Sequence, residues 1–170
     1  DKTFVAANNL SGDIGTRFSV VPYSNNEGSR GSVAPLFQRL AARGAAELPI
    51  TDPRMTRFLI TLNQGVDFVL SSLGLMRGGE IFVPKIPSMK IVDMATAMAP
   101  GLATKVVGIR PGEKLHEMMI SADDARTTVD LGDRYAIEPA FAEYTRHGHE
   151  GAALAEGFSY ASDTNTEWLD

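Results

Sequence analysis

Apolar residues along the chain switch repeatedly between helical spacing and short β-branched runs. Helical spacing predicts helices at about 2–10, from 33 to near 44, from 61 to before 78, and from 88 to about 98. Short apolar runs predict strands at 16–21, 55–60, 80–84 and 105–109, with two more on either side of a turn at 131–133. Because strands and helices alternate, the pattern indicates an α/β protein with at least some parallel pairing.

The third predicted helix has the clearest apolar stripe of the chain. Its members recur at helical spacing and are Leu62, Val66, Val69, Leu70 and Leu73. Thr61 can cap the start of this helix, and Ser88 is the expected cap of the next one. In that next helix Met94 and Met98 are expected to fill the core rather than to line a cofactor site.

Composition places the chain among ordinary globular proteins. It has 170 residues, of which 44% are hydrophobic and 22% charged, with a net charge of −5 and no cysteine. A net negative charge does not indicate a nucleic-acid binding protein, and the lack of cysteine excludes disulfides and thiolate catalysis. No apolar run approaches the roughly 18 residues of a membrane span. We therefore expect a soluble, cytoplasmic protein, and the start at Asp1 suggests a piece of a longer chain.

The stretch Arg110–Glu117 has the highest density of functional groups. A strand is predicted to end at Arg110, and Pro111 fits a turn or the start of a helix on which Glu113 and Glu117 share a face. A guanidinium beside the free N–H groups of a helix start suits an anion such as a phosphate. The alternative is a surface ion pair between Arg110 and Glu113 or Glu117.

Two other segments contain polar groups that could bind a ligand. The loop at 23–32 is rich in Gly, Ser and Asn, and its Asn25, Arg30 and Ser32 could bind an anionic or hydroxylated ligand. Its glycine spacing matches neither a P-loop nor a dinucleotide motif, so an ordinary solvated loop is the alternative. His147 and His149 could ligate a metal, but without a clear third ligand we expect them to be exposed to solvent and expect no metal site.

Several motifs in order strongly resemble one family, the inverting UDP-N-acetylglucosamine 4,6-dehydratases of the extended short-chain dehydrogenase/reductase superfamily. The motifs are Arg17–Val21, Gly28–Val33, Ile50–Asp52 with Met55–Phe58, Gly79–Lys90 and Arg110–Glu117. The resemblance covers nearly the whole chain. It implies the C-terminal half of such an enzyme, with remaining Rossmann-domain elements at 1–32 and about 78–88 and a nucleotide-sugar binding region at 33–77 and 89–170.

The resemblance also implies a chemistry. Members of this family use NADP to oxidise the sugar at C4, eliminate water across C5 and C6, and return the hydride at C6 with inversion at C5. The ketone at C4 acidifies the C5 proton, which explains why the nicotinamide serves twice in one turnover. The product is a 4-keto-6-deoxy sugar nucleotide for pseudaminic acid and related surface sugars. A homo-oligomer is expected, because the strand edges left without the other half favour association.

Residue roles are carried over by match to the family. Arg110 would contact the UDP diphosphate, Glu113 the ribose, and Asn25 the diphosphate or sugar. The other implied residues are Arg30, Thr56, Arg57 and Lys85 in the nucleotide pocket, with Tyr23 and Ser24 on the cofactor side. The chain contains neither Gly-x-Gly-x-x-Gly nor Tyr-x-x-x-Lys, so it contains no catalytic residue and is expected to be inactive alone.

One segment departs from the family pattern. Relatives usually have Arg-Tyr-Gly-Asn followed by two apolar residues, where this chain has Pro22–Glu27. Pro22 removes a donor at a strand end, and Glu27 adds negative charge near the expected phosphates. Two alternatives therefore stand beside the dehydratase: a non-catalytic remnant that retains a UDP-sugar pocket, and a related nucleotide-sugar epimerase.

Overall fold

The computed structural model describes residues 2–11, 15–22, 25–26, 33–139 and 148–169. The described part of the chain contains five helices: α1 (Lys2–Ser11), α2 (Val33–Ala42), α3 (Leu62–Leu75), α4 (Ile91–Met98) and α5 (Ala122–Ala125). None of them is long and apolar enough to cross a membrane. Its strands are β1 (Asn25–Asn26), β2 (Glu47–Ile50), β3 (Thr56–Ile60), β4 (Ile81–Pro84), β5 (Ser88–Lys90), β6 (Ala103–Val106), β7 (Met118–Ile120), β8 (Thr128–Asp130), β9 (Arg134–Ile137), β10 (Ala152–Ala153) and β11 (Tyr160–Ala161).

The chain divides into two compact units. The first comprises Asp1–Tyr23, Val66–Lys85 and Met119–Tyr160, and the second Ser24–Gly65, Ile86–Met118 and Ala161–Asp170. These bounds differ from those expected for the Rossmann and substrate-binding parts. The assignment of either unit to one of those functional domains stays a prediction.

The first unit is built on the antiparallel sheet β10-β8-β9-β4. β8 and β9 form the hairpin predicted around the turn at 131–133, and β9 pairs in turn with β4. The predicted strand at 16–21 forms only a parallel bridge from Val20 to Ile81, supported by the bond from the Val20 N–H to the Glu80 carbonyl at 3.0 Å. Pairing in this unit is thus mostly antiparallel.

The second unit contains the parallel pairing that the sequence predicts. β1 runs parallel to β3, β3 antiparallel to β5, and β2 parallel to β6. Its core lies between these strands and the inner faces of α2 and α4, where Phe37, Leu48 and Met94 are buried. Each such side chain contributes about 1.5–3 kcal/mol when it is fully removed from water. The predicted α/β class is therefore confirmed.

Two expectations about local structure are wrong. Ser88 begins β5 instead of capping α4, whose N-cap is Lys90 with no side-chain cap bond. No helix begins directly after Arg110: a turn at 111–112 and a bend at 115–116 lead into β7. The predicted third helix is confirmed as α3, and its apolar stripe faces solvent, with Leu70 and Leu73 exposed to 61% and 63%.

Candidate functional site

An open cavity of about 250 Å³ lies in the second unit, where β2, β3, α2 and α4 meet the segment that follows β6. The apolar part of its wall is formed by Val33, Leu36, Ile50, Met55, Ile91 and Val107. The charged groups on it are Arg57, Arg110 and Glu113. Two guanidinium groups and one carboxylate beside apolar surface suit a ligand that is partly anionic and partly flat or apolar.

The turn at 110–113 places Arg110 and Glu113 on this cavity. The Glu113 N–H donates to the Arg110 carbonyl at 3.1 Å, and Gly112 between them has φ of 86°. Pro111 followed by a glycine with positive φ is the sequence of a type II turn, which explains why a helix does not start here. The segment after Arg110 therefore brings no helix N-terminus to this site.

The Glu113 carboxylate also stabilises the turn, because its Oε2 accepts the Arg110 backbone N–H at 3.0 Å. The Arg110 guanidinium makes no hydrogen bond or ion pair within the described part of the chain. The alternative interpretation, a surface pair with Glu113 or Glu117, is thus not found. Arg110 presents an exposed cation with all five N–H donors available.

Arg57 is in the opposite situation. It lies on β3, and its NH1 donates to the carbonyls of Thr56 at 2.7 Å and Leu115 at 3.1 Å. Its NH2 donates to the Lys114 carbonyl at 3.0 Å and to Met55 Sδ, also at 3.0 Å. Its Nε lies 3.7 Å from Glu117 Oε1. Burial lowers the pKa of the Arg57 guanidinium, and Glu117 and Glu113 act in the opposite direction.

These contacts use the edges of the Arg57 guanidinium within the protein. Its edges hold the chain at 114–115, directly after the turn that carries Arg110. What remains for a ligand in the cavity is chiefly the face of the group, which can stack on an aromatic ring.

The other predicted site residues have different surroundings. Thr56 is buried, and its Oγ1 lies 2.8 Å from His116 Nδ1 and 2.7 Å from Ser162 Oγ. Lys85, in the first unit, donates from Nζ to both oxygens of Asp130 at 2.7 and 2.8 Å. Neither lines the cavity, so their assignment to the nucleotide pocket stays a prediction.

The ion pair between Lys85 and Asp130 lowers the pKa of the Asp130 carboxyl. Burial alone would raise the pKa of Asp130, but the bonds from Lys85 and from the Gly132 N–H lower it overall. Lys85 also lies 4.6 Å from the centre of the Tyr135 ring, a cation–π distance. A lysine with these partners is held in place within the first unit.

The predicted loop site lies mostly outside the described residues. Tyr23, Ser24 and Arg30 are among the residues that the structure does not describe, and of Asn25 only the backbone is described. That backbone pairs with β3, in register with Leu59. The roles implied for these four residues remain predictions.

His149 was expected to be exposed to solvent, and this expectation is wrong. Its side chain is buried, packs edge-on against Phe82 with ring centres 5.4 Å apart, and lies 3.8 Å from Glu80 Oε1. His147 lies outside the described residues, and the described ranges contain no group of three or more side chains that could hold a metal.

Comparison with known proteins identifies the family. A family model described as "Polysaccharide biosynthesis protein" matches residues 1–139. The chain belongs to this polysaccharide biosynthesis protein family. Within it, the chain is 54% identical to a UDP-N-acetylglucosamine 4,6-dehydratase (inverting) from Campylobacter jejuni subsp. jejuni serotype O:23/36, a match over 99% of the chain and 53% of that protein. The resemblance drawn from the motifs is confirmed.

More distant relatives share the same region. A UDP-glucose 4-epimerase from Rickettsia canadensis is 37% identical over 85% of the chain and 45% of its own length. The X-ray structure of Pen from Bacillus thuringiensis superposes with a TM-score of 0.82 at 27% identity, covering 98% of this chain and 51% of that one. The fold is that of the C-terminal part of an extended short-chain dehydrogenase/reductase. The chain spans about half the length of the curated relatives it matches.

Of the residues predicted for the site, Arg110, Glu113 and Arg57 line the cavity, and their roles stay predictions. The apolar wall of the cavity was not predicted. Ile50 and Met55 are buried to the extent of core residues and also line the cavity. No signal in a single sequence separates an apolar residue that lines a pocket from one that fills the core.

Proposed function

We propose that this chain is the nucleotide-sugar binding part of a UDP-N-acetylglucosamine 4,6-dehydratase that inverts C5 and uses NADP. The observation that carries the proposal is the exposed Arg110 guanidinium, which has no partner among the described residues and lines a cavity with an apolar side. The 54% identity to a protein with that activity supports the choice of ligand. The sugar nucleotide would thus be UDP-N-acetylglucosamine.

Each group of the cavity has a role that its chemistry allows. The Arg110 fork can take two phosphate oxygens of the diphosphate. Glu113 has one carboxylate oxygen engaged by the turn, and its second oxygen is assigned to a ribose hydroxyl. The face of the Arg57 guanidinium and the wall of Ile50 and Met55 are assigned to the uracil ring.

NADP is assigned to the whole enzyme and not to residues of this cavity. The chain contains neither the dinucleotide motif nor Tyr-x-x-x-Lys, so no step of hydride or proton transfer is derived from its side chains. We expect the 170-residue chain alone to bind the UDP-sugar without dehydrating it.

Calorimetry on the purified chain tests this proposal. UDP-N-acetylglucosamine and UDP should both bind saturably, and Arg110→Ala should weaken that binding at least tenfold, because charge-assisted hydrogen bonds to the diphosphate are lost. Arg126→Ala is a matched control, since Arg126 is an exposed arginine paired with Asp123 in the first unit. Absence of binding by the wild-type chain would refute the proposal.

The relationship to UDP-glucose 4-epimerases supports a second candidate, a nucleotide-sugar epimerase. Product NMR on an enzyme that also contains the dinucleotide motif separates the two. A 4-keto-6-deoxy product supports the dehydratase, whereas a C4 epimer that retains its 6-hydroxyl supports the epimerase.

A further inference from the structure

The C-terminal segment at 161–169 is built into the second unit by backbone bonds. The Ser88 N–H donates to the Glu167 carbonyl at 2.9 Å, and the Leu169 N–H donates to the Ser88 carbonyl at 2.8 Å. The Asn165 side-chain amide adds a bond to the Ile86 carbonyl at 2.9 Å. This segment lies beyond residues 1–139, the range matched by the family model.

Ser162 is the most buried contact of this segment, with 0% of the residue exposed. Its Oγ accepts the Glu117 N–H at 2.9 Å, and its own N–H donates to the Glu117 carbonyl at 2.8 Å. The same hydroxyl lies 2.7 Å from Thr56 Oγ1 and 3.2 Å from the Thr56 carbonyl. One serine therefore holds both backbone polar groups of Glu117 and joins them to β3.

Glu117 in turn faces Arg57. Its Oε2 accepts the Phe58 N–H at 3.1 Å, while its Oε1 lies 3.7 Å from Arg57 Nε. Arg57 then donates to the carbonyls of Lys114 and Leu115. The contacts thus run from Ser162 through Glu117 and Arg57 to the chain next to the turn of Arg110.

We propose that Ser162 is a positioning residue for the cavity, acting through Glu117 and Arg57 on the Arg110 turn. The inference rests on the proposed function, in which Arg57 and Arg110 bind a UDP-sugar. At a site with no exposure, water cannot readily replace the serine hydroxyl, so its removal leaves the Glu117 N–H without that acceptor. Glu117 keeps its carbonyl bond from the Ser162 N–H and its carboxylate bond from the Phe58 N–H, but the hydroxyl link from its own N–H to Thr56 is lost. We expect the Glu117 carboxylate to shift relative to Arg57, so that the Arg57 edges hold the chain at 114–115 less firmly.

If Ser162 had a purely structural role, replacing it with alanine should affect UDP binding no more than the same change at Ser88. Ser88 is also 0% exposed, lies in the same unit, and its Oγ accepts the Asn165 amide of the same C-terminal segment at 3.1 Å. Within the described part of the chain, the Ser88 side chain makes no bond to Glu117 or Arg57 and does not line the cavity. Ser88→Ala is therefore a matched control for Ser162→Ala.

The test measures UDP affinity and melting temperature of both variants in the full 170-residue chain. We expect both to lower the melting temperature by similar amounts. Ser162→Ala should weaken UDP binding at least tenfold, whereas Ser88→Ala should change it less than twofold. Equal losses of affinity in the two variants would overturn the inference.

A readout without ligand separates this inference from the proposed function. The Nε–H signal of Arg57 in ¹⁵N NMR should exchange slowly with water in the wild type and in Ser88→Ala, and rapidly in Ser162→Ala. If the wild type binds no UDP, the proposed function fails, and an Arg57 signal unchanged by Ser162→Ala would then overturn the positioning role as well.

Should Ser162→Ala fail to fold, the isosteric Glu117→Gln variant tests the same route. The amide oxygen can still accept the Phe58 N–H, but the negative charge beside Arg57 is removed. We expect UDP affinity to fall severalfold and the Arg57 signal to shift. Unchanged affinity together with an unchanged signal would contradict the route through Glu117.

Discussion

Arg57 and Arg110 lie on the same cavity with opposite hydrogen-bond environments. Arg57 donates four hydrogen bonds to backbone carbonyls and a thioether, and its fifth donor faces Glu117. The guanidinium of Arg110 has no bond within the described part of the chain. Both residues are arginines, but Arg57 holds neighbouring backbone in place, whereas Arg110 presents its positive charge to the cavity. The difference lies in the groups that surround each side chain.

The comparison assigns stability and binding to different residues. A guanidinium whose donors are already used costs free energy to redirect, because its carbonyl partners would be left without a donor. A guanidinium without partners can meet a diphosphate without breaking any bond. Arg57 should thus matter for folding as well as for the ligand, and Arg110 chiefly for the ligand.

The largest expected effect is on stability. Arg57→Ala removes the donors to the carbonyls of Lys114 and Leu115 and should lower the free energy of unfolding by about 3 kcal/mol, as for other broken, partly buried networks. Arg110→Ala should change it by no more than about 0.5 kcal/mol. Urea unfolding of both variants measures the difference, and equal losses would remove the distinction between the two arginines.

The smallest expected effect comes from a third arginine of the same unit. Arg54 has a side chain that is 71% exposed, and it holds Asp52 through bonds of 2.8 and 3.0 Å. The side-chain bond from Arg54 lowers the pKa of Asp52 to about 2. Surface pairs of this kind contribute little, so Arg54→Ala should destabilise the chain less than Arg57→Ala.

The pH dependence of that small effect has a definite sign. Because the folded pKa of Asp52 lies below the usual carboxyl value near 3.8, the pair stabilises the fold above that value. The difference between wild type and Arg54→Ala should shrink as pH falls from about 4 through about 2. Unfolding curves across this range check it, and a difference that grows on acidification would contradict the account.

Much of the fold could be predicted because the spacing of apolar residues in a segment agrees with the helix or strand that the segment forms. α2 and α4 have apolar positions at helical spacing; Met94 is buried as expected, and Phe37 of α2 is buried as well. α3 has an equally clear pattern, yet its outer residues Leu70 and Leu73 are exposed, while Ser72 on another face bonds Arg134 at 2.8 Å. Periodicity identified the helix, but it could not indicate whether the stripe has a partner in this chain.

Motif and chemistry together singled out Arg110 and Glu113, and their roles at the site stay predictions. Arg110 and Glu113 lie together on a cavity. They are brought there by a turn instead of the predicted helix, because Gly112 has a positive φ that a helix does not allow. The partners of Arg57 are backbone carbonyls brought together by tertiary structure. The contact of Ser162 with Glu117 spans 45 residues of sequence, and no local pattern records such a contact.

Phosphorus NMR tests the central claim most directly, because it observes the diphosphate that Arg110 is proposed to hold. On titration of UDP with the wild-type chain, the two phosphorus signals should shift and broaden to saturation. The same titration with Arg110→Ala, folded as shown by its unfolding curve, should leave them nearly unchanged at equal concentrations. Signals that shift equally with wild type and Arg110→Ala would contradict the assignment of Arg110 to the diphosphate.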